Sequence, residues 1–114
     1  MSWLPQACIV AGYQIPREAM THLYDRIEDD YDVTGKYEDF IVDSDSIRGV
    51  DDFFFGKIIL EIEEDCHPMR FDDILFTQKD YDEVNEGFNL LLKDWCEEHN
   101  YHPRFDKYIM IRWI

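Results

Sequence analysis

Basic residues are scarce in this chain: 11 lysines and arginines face 26 aspartates and glutamates across 114 residues, a formal net charge of −15. Solubility alone asks a small domain for a net magnitude of only roughly 2–8. A field of this sign repels nucleic acid and anionic membrane and attracts cationic surfaces, so direct nucleic-acid and membrane partners are excluded. Cysteine is also sparse, and Cys8, Cys66 and Cys96 are odd in number and widely spaced. That pattern excludes a paired disulfide framework and makes free thiols in a reducing compartment the expectation. No window approaches the ~18 apolar residues that a membrane span needs. The opening Met1-Ser2-Trp3-Leu4-Pro5 carries neither the basic flank nor the apolar stretch of a signal peptide, so a cytoplasmic location is expected.

Motifs for chemistry are missing as well. There is no Gly-x-Ser-x-Gly, no phosphate-cradling glycine loop and no Gly-x-Gly-x-x-Gly. Carboxylate pairs must arise by chance in so acidic a chain, so they carry no sign of glycosidase-like work. The zinc-type atoms of Cys66-His67, of Cys96-x-x-His99 and of His102 fit no paired zinc spacing. A calcium loop opening at Asp43-Ser44-Asp45 fails where Ile47 and Arg48 stand in place of a ligand and a glycine. The chain reads as a non-enzyme without cofactor or metal.

What is present is a core. Hydrophobic residues make up 46% of the chain and aromatics 16%, too rich for an acidic disordered tail. One globular domain spanning residues 1–114 is expected from the length. Residues 7–15 read as a first strand, and Pro16 suits the first turn of a helix. Over residues 16–31, Met20, Leu23, Tyr24, Ile27 and Tyr31 recur with helical period as one apolar stripe. Residues 37–43 read as a second strand and 52–63 as a third, with Phe54, Ile58, Leu60 and Ile62 on one face and Phe53, Phe55, Lys57 and Ile59 on the other. Ile74-Leu75-Phe76 is a further short strand or a core plug. Thr77-Gln78-Lys79-Asp80 resembles a capping box with the shorter acid, opening a helix over 78–99 whose buried stripe is Tyr81, Val84, Phe88, Leu91, Leu92 and Trp95. A last strand covers 105–113. The order β-α-β-β-α-β predicts an α+β fold, a ferredoxin-like plait with two helices on one face of an antiparallel sheet.

The acids gather in segments. Residues 17–32 hold Glu18, Asp25, Glu28, Asp29, Asp30 and Asp32 against Arg17 and Arg26; residues 38–52 hold six acids against Arg48 alone. Residues 61–65 add four more, and 78–98 hold seven against Lys79 and Lys93. Only residues 100–114 lean positive, through Arg104, Lys107 and Arg112. Like charges four apart on a helix cost ~0.2–0.5 kcal/mol per pair, and Asp25–Asp29, Glu28–Asp32 and Asp82–Glu86 all incur it. A solvated acidic surface is the plain explanation; a surface kept for a basic partner is the sharper one.

Phe53 and Phe55, followed by Gly56-Lys57, resemble the third-strand aromatics of the RNA-recognition module, but only over these few positions and without its basic residue. The net charge excludes that activity. The expectation is instead a small acidic inhibitor that binds a basic, nucleic-acid-binding protein such as a nuclease or a CRISPR or restriction effector, in the manner of anti-CRISPR, anti-restriction or nuclease-immunity proteins. Its expected contacts are Asp25, Glu28, Asp29, Asp82, Glu83 and Glu86 on helices, and Asp43, Asp45, Asp51, Asp52, Glu63, Glu64 and Asp65 in loops. The rivals are a homodimeric or larger interaction module joined through an exposed face of Phe53, Phe55, Ile59 and Trp113, and a small-molecule sensor with a pocket near Tyr13, Tyr37 and Tyr108.

Overall fold

The apolar run near the start of the chain becomes the centre of a sheet. In the computed structural model, which describes residues 5–43, 52–62 and 76–113, that run is strand β1 (Pro5–Pro16). It pairs antiparallel with β3 (Asp52–Ile62) on one side and with β4 (Phe105–Trp113) on the other. The short β2 (Ile41–Asp43) joins β3, also antiparallel, so the strand order is β2-β3-β1-β4.

The fold is α+β, as expected, but neither helical region is a single helix. A 3₁₀ turn (Arg17–Ala19) leads into α1 (Met20–Asp29), then α2 (Tyr31–Thr34), then a second 3₁₀ segment (Gly35–Phe40). The chain leaves helical geometry at Asp30, with φ −145° and ψ 58°. Thr34 helps hold this break: its hydroxyl lies within hydrogen-bond reach of the carbonyls of Ile27 (3.0 Å) and Asp30 (2.8 Å), and the Asp30 carbonyl also accepts from the Val33 and Thr34 N–H groups. The second region is α3 (Gln78–Leu91) and α4 (Lys93–Glu98), parted at Leu92. Here the capping box is present in full. Thr77 Oγ1 accepts from the Asp80 N–H and Asp80 Oδ2 accepts from the Thr77 N–H, both at 3.2 Å. Asn100, at φ 53°, closes α4 in the left-handed region, with the Tyr101 N–H donating to the Cys96 carbonyl at 2.8 Å.

The second strand is shorter than expected, because residues 35–40 are 3₁₀ and only 41–43 pair. Tyr37 and Phe40 explain the difference: both are buried, three residues apart, with Glu38 and Asp39 exposed between them. That spacing suits a three-residue turn and defeats strand alternation. Of the possible strand at 74–76, only Phe76 lies within the described residues; it is not in a strand, and its ring sits 5.5 Å from that of Phe105.

The first 3₁₀ turn, α1, the second 3₁₀ segment, α3 and α4 all pack on one side of the sheet. Tyr13, Ile15, Phe53 and Phe55 from the strands meet Leu23 and Ile27 of α1, Val84, Phe88 and Leu91 of α3, and Trp95 of α4 in one core. Tyr13 stacks on Phe88 at 4.0 Å, and its hydroxyl donates to Asn85 Oδ1 at 2.7 Å. A smaller cluster of Cys8, Val10, Val42, Phe54 and Met110 is buried on the opposite face. Phe53 and Phe55 are wholly buried, which removes them from any exposed aromatic face. Residues 52–58 alternate as expected, but the register shifts at Ile9/Val10, where Leu60 and Ile58 are the partners and Ile59 is left over. This bulge moves Leu60 to the face of Phe55, a change of side that strict alternation misses.

β1 and β3 come closest at Gly12 and Gly56, which face each other across the ladder. A Cβ on Gly56 would lie 2.2 Å from the Ala11 carbonyl oxygen, and one on Gly12 equally close to that of Phe55. Both obstacles are backbone, so neither can swing aside. Gly56→Ala is expected to cost about 1–3 kcal/mol as an overpacked contact. Urea denaturation would show it as a lowered midpoint, and an unchanged midpoint would contradict this close approach.

Candidate functional site

α1 carries its apolar residues Leu23 and Ile27 into the core, and the remaining turn of the helix is left to water. Asp25, Glu28 and Asp29 are exposed there, and Asp30 and Asp32 continue the exposed acids around the break. None of these five makes an ion pair among the described residues. The cation between them is committed elsewhere: Arg26 donates to the Leu90 carbonyl at 2.8 Å and lies 3.4 Å from Asp94. Because α1 stops at Asp29, Glu28 and Asp32 do not share a helix, and the repulsion expected between them as a helical pair does not arise.

The other expected contacts divide. Asp82 and Glu86 are exposed one turn apart on α3, and Asp82 accepts from Gln78 at 2.9 Å. Glu83 is drawn inward to Lys57, at 3.1 Å, and Lys57 also holds Asp80 at 2.9 Å. Asp43 pairs with Arg17 at 2.6 Å, and Asp52 accepts from Gln14 Nε2 at 2.6 Å. These three acids brace the sheet and its helices, so they leave the candidate surface. The physical reason is a donor within bonding reach of each: Lys57 for Glu83, Arg17 for Asp43 and the Gln14 amide for Asp52. Asp45, Asp51, Glu63, Glu64 and Asp65 lie outside the described residues.

Exposed apolar groups interrupt the same acidic stretch, and residue periodicity did not single them out. Tyr24 and Tyr31, expected in the buried stripe, are 42% and 60% exposed. Tyr24 sits at the stripe's edge, and the break at Asp30 turns Tyr31 out of phase with α1. Val33 and Leu90 are exposed as well. The ring of Tyr31 lies against Gly35, where a Cβ would come within 2.9 Å of it. Between α1–α2 and α3 runs a groove of about 220 Å³, lined by Arg26, Asp29, Asp30, Val33, Thr34, Leu90 and Leu91.

Of the residues considered for chemistry, Cys66 and His67 lie outside the described residues, and Cys96 and His99 are engaged in packing. Burial pushes the Cys96 thiol up to about 11, so it stays protonated. His99 stacks on Trp95 at 4.1 Å, with Nδ1 2.9 Å from the Trp95 carbonyl oxygen, and His22 lies 3.1 Å from Asp94. Burial opposes ionisation of Asp94, but hydrogen bonds from His22 and the Trp95 N–H hold its carboxyl below the ordinary value. Tyr13 and Tyr37 lie in the helix-side core, whereas Tyr108 packs with Phe54 on the other face, so these three tyrosines share no pocket. Among the described residues, no group of three or more histidines, cysteines and acids is placed to hold a metal, and no helix is long and apolar enough to cross a membrane.

The Lys57 cluster has a consequence for acid stability. Asp80 is held at about 2, below its ordinary 3.8, first by the Lys57 ammonium and then by the N–H and hydroxyl of Thr77. Between those values the unfolded chain binds more protons than the folded one. The contribution is therefore present above about pH 4 and lost as the pH falls through the folded value. Asp80→Asn should lower stability at pH 7 and flatten its dependence on pH in that acid window. Parallel acid limbs for the two proteins in thermal melts would refute the assignment. Set against protein-family models, curated proteins and solved structures, the chain matches none.

Proposed function

We propose that this chain is a small, non-enzymatic acidic inhibitor that occupies the basic, nucleic-acid-binding surface of a partner protein and excludes the nucleic acid from it. The observation that carries the reading is the run Asp25, Glu28, Asp29, Asp30 and Asp32: five exposed carboxylates around α1 and α2 without internal ion pairs among the described residues. Neighbouring carboxylates on a helix stand ~5–6 Å apart, a spacing that Lys and Arg arrayed for phosphates can answer. Asp82 and Glu86 extend the same sign onto α3. Long-range attraction would raise the encounter rate, and exposed Tyr24 and Tyr31 would supply the short-range anchorage that charge alone lacks. Partners of the right chemistry are nucleases and CRISPR or restriction effectors, and the setting that suits such a role is the cytoplasm. We infer also that the scaffold is a ferredoxin-like plait. Counted from its other edge the order is β4-β1-β3-β2, with every neighbouring pair antiparallel, and the two broken helical regions fall between strands as a plait requires.

The test is capture from a lysate with the full chain, followed by competition. A basic nucleic-acid-binding protein should be retained at low salt, released by duplex DNA, and weakened by at least tenfold between about 50 and 200 mM salt. The triple reversal Asp25→Lys, Glu28→Lys, Asp29→Lys should abolish capture while leaving the circular dichroism spectrum unchanged. Retention that neither DNA nor salt disturbs would sink the reading.

A further inference from the structure

We propose that the groove between α1–α2 and α3 seats an arginine side chain of the partner. The inference rests on the inhibitor reading above and names the contact that would give it specificity. Three observations converge on this place. The groove has a mixed lining, with Val33 and Leu90 supplying exposed apolar surface over buried Leu91, and with the acids Asp29 and Asp30 at its edge. Its volume of about 220 Å³ accommodates one long side chain and no folded segment. Val33 and Leu90 are 53% and 38% exposed, so apolar area stands open to water within the most acidic part of the described chain.

An arginine answers both parts of this lining. Its three-carbon stem covers apolar surface while its head stays with anions, as long basic side chains do elsewhere. The planar guanidinium presents five N–H donors in a fixed fork that matches a carboxylate bidentately, a geometry that an ammonium lacks. The groove's own cation does not compete for those acids. Arg26 Nη2 is held by the Leu90 carbonyl and Nη1 faces Asp94, so Asp29 and Asp30 are left to an incoming group. Thr34 is equally committed, because its hydroxyl is spent on the carbonyls of Ile27 and Asp30. The rim therefore offers carboxylates without an internal ion pair, while Arg26 Nη2 and the Thr34 hydroxyl are already engaged. Tyr31 follows Asp30 directly, with its ring braced on Gly35, and presents an ordered aromatic surface beside the acids. A held aromatic loses little freedom on contact, and its face suits a second guanidinium.

The experiment titrates the isotope-labelled full chain with nona-arginine and with nona-lysine at low ionic strength, read by amide chemical shifts. The arginine peptide should bind more tightly than the lysine peptide and should perturb Asp29, Asp30, Val33, Thr34 and Leu90 most. Asp29→Asn with Asp30→Asn should weaken the arginine peptide by about tenfold, and Asp82→Asn with Glu86→Gln by less than about twofold. Leu90→Ser should narrow the preference for arginine and leave the lysine affinity unchanged. Amide dispersion of each variant reports that the fold is intact. Equal binding of both peptides, with the two double variants alike, would overturn the arginine seat and leave the inhibitor reading standing. Failure of both peptides to bind at low salt would remove the arginine seat and the inhibitor reading together.

Discussion

α3 lies directly on two aromatic rings, and the rest of the molecule is arranged around that contact. A Cβ on Gly87 would fall 2.7 Å from the ring of Tyr37 and 3.0 Å from that of Phe55, so only glycine lets the helix backbone settle there. Tyr37 belongs to the 3₁₀ segment and Phe55 to the central strand pair; the glycine thus joins three elements through one close approach. Phe40 adds an edge-on contact with each ring, at 5.6 and 5.8 Å. With most of the aromatics spent on this interior, the outward turns of α1 and α3 carry chiefly acids, interrupted by exposed Tyr24 and Leu90.

Charge follows from that division. A chain with 26 acids and 11 bases cannot neutralise itself, and Arg17, Lys57 and Arg26 are used where they hold elements together. Arg17 ties the end of β1 to β2 through Asp43, Lys57 ties the sheet to α3 through Asp80 and Glu83, and Arg26 ties α1 to α3 and α4 through Leu90 and Asp94. Such half-exposed pairs are each worth only ~0–1 kcal/mol, so their value here is positional. They decide which acids become part of the framework and which remain outside it. The acids of α1 and α2 remain outside, beside exposed tyrosines and a groove with an apolar floor. Surface charge interacts across a screening length of ~8 Å at physiological salt, so the crowded carboxylates of this stretch act as one field.

Much of the architecture was legible in the residues. The alternation and apolar runs of residues 7–15 and 105–113 correspond closely to β1 and β4, and the Thr77–Asp80 box starts α3 where it was expected. Local rules succeed here because alternation along a strand and capping depend on neighbours in sequence. They fail at Ile59, where a bulge changes the side on which Leu60 falls, and at Tyr37–Phe40, where burial three residues apart replaces alternation. Tyr31 was misplaced because one non-helical residue, Asp30, resets the helical phase behind it.

Composition and order alone decided that the chain folds, that it is α+β, and that its surface carries a large negative surplus, since each is a sum or a short-range pattern. Which carboxylates are internally paired was decided only when distant segments met. Asp43 and Arg17 are 26 residues apart and Glu83 and Lys57 also 26, and nothing in either neighbourhood announces the partner. The groove is likewise a product of assembly, because Asp29 and Asp30 acquire an apolar floor only when α3 brings Leu90 and Leu91 beside them. Coulombic and packing energies depend on distance in space, and distance in space is what the tertiary fold creates.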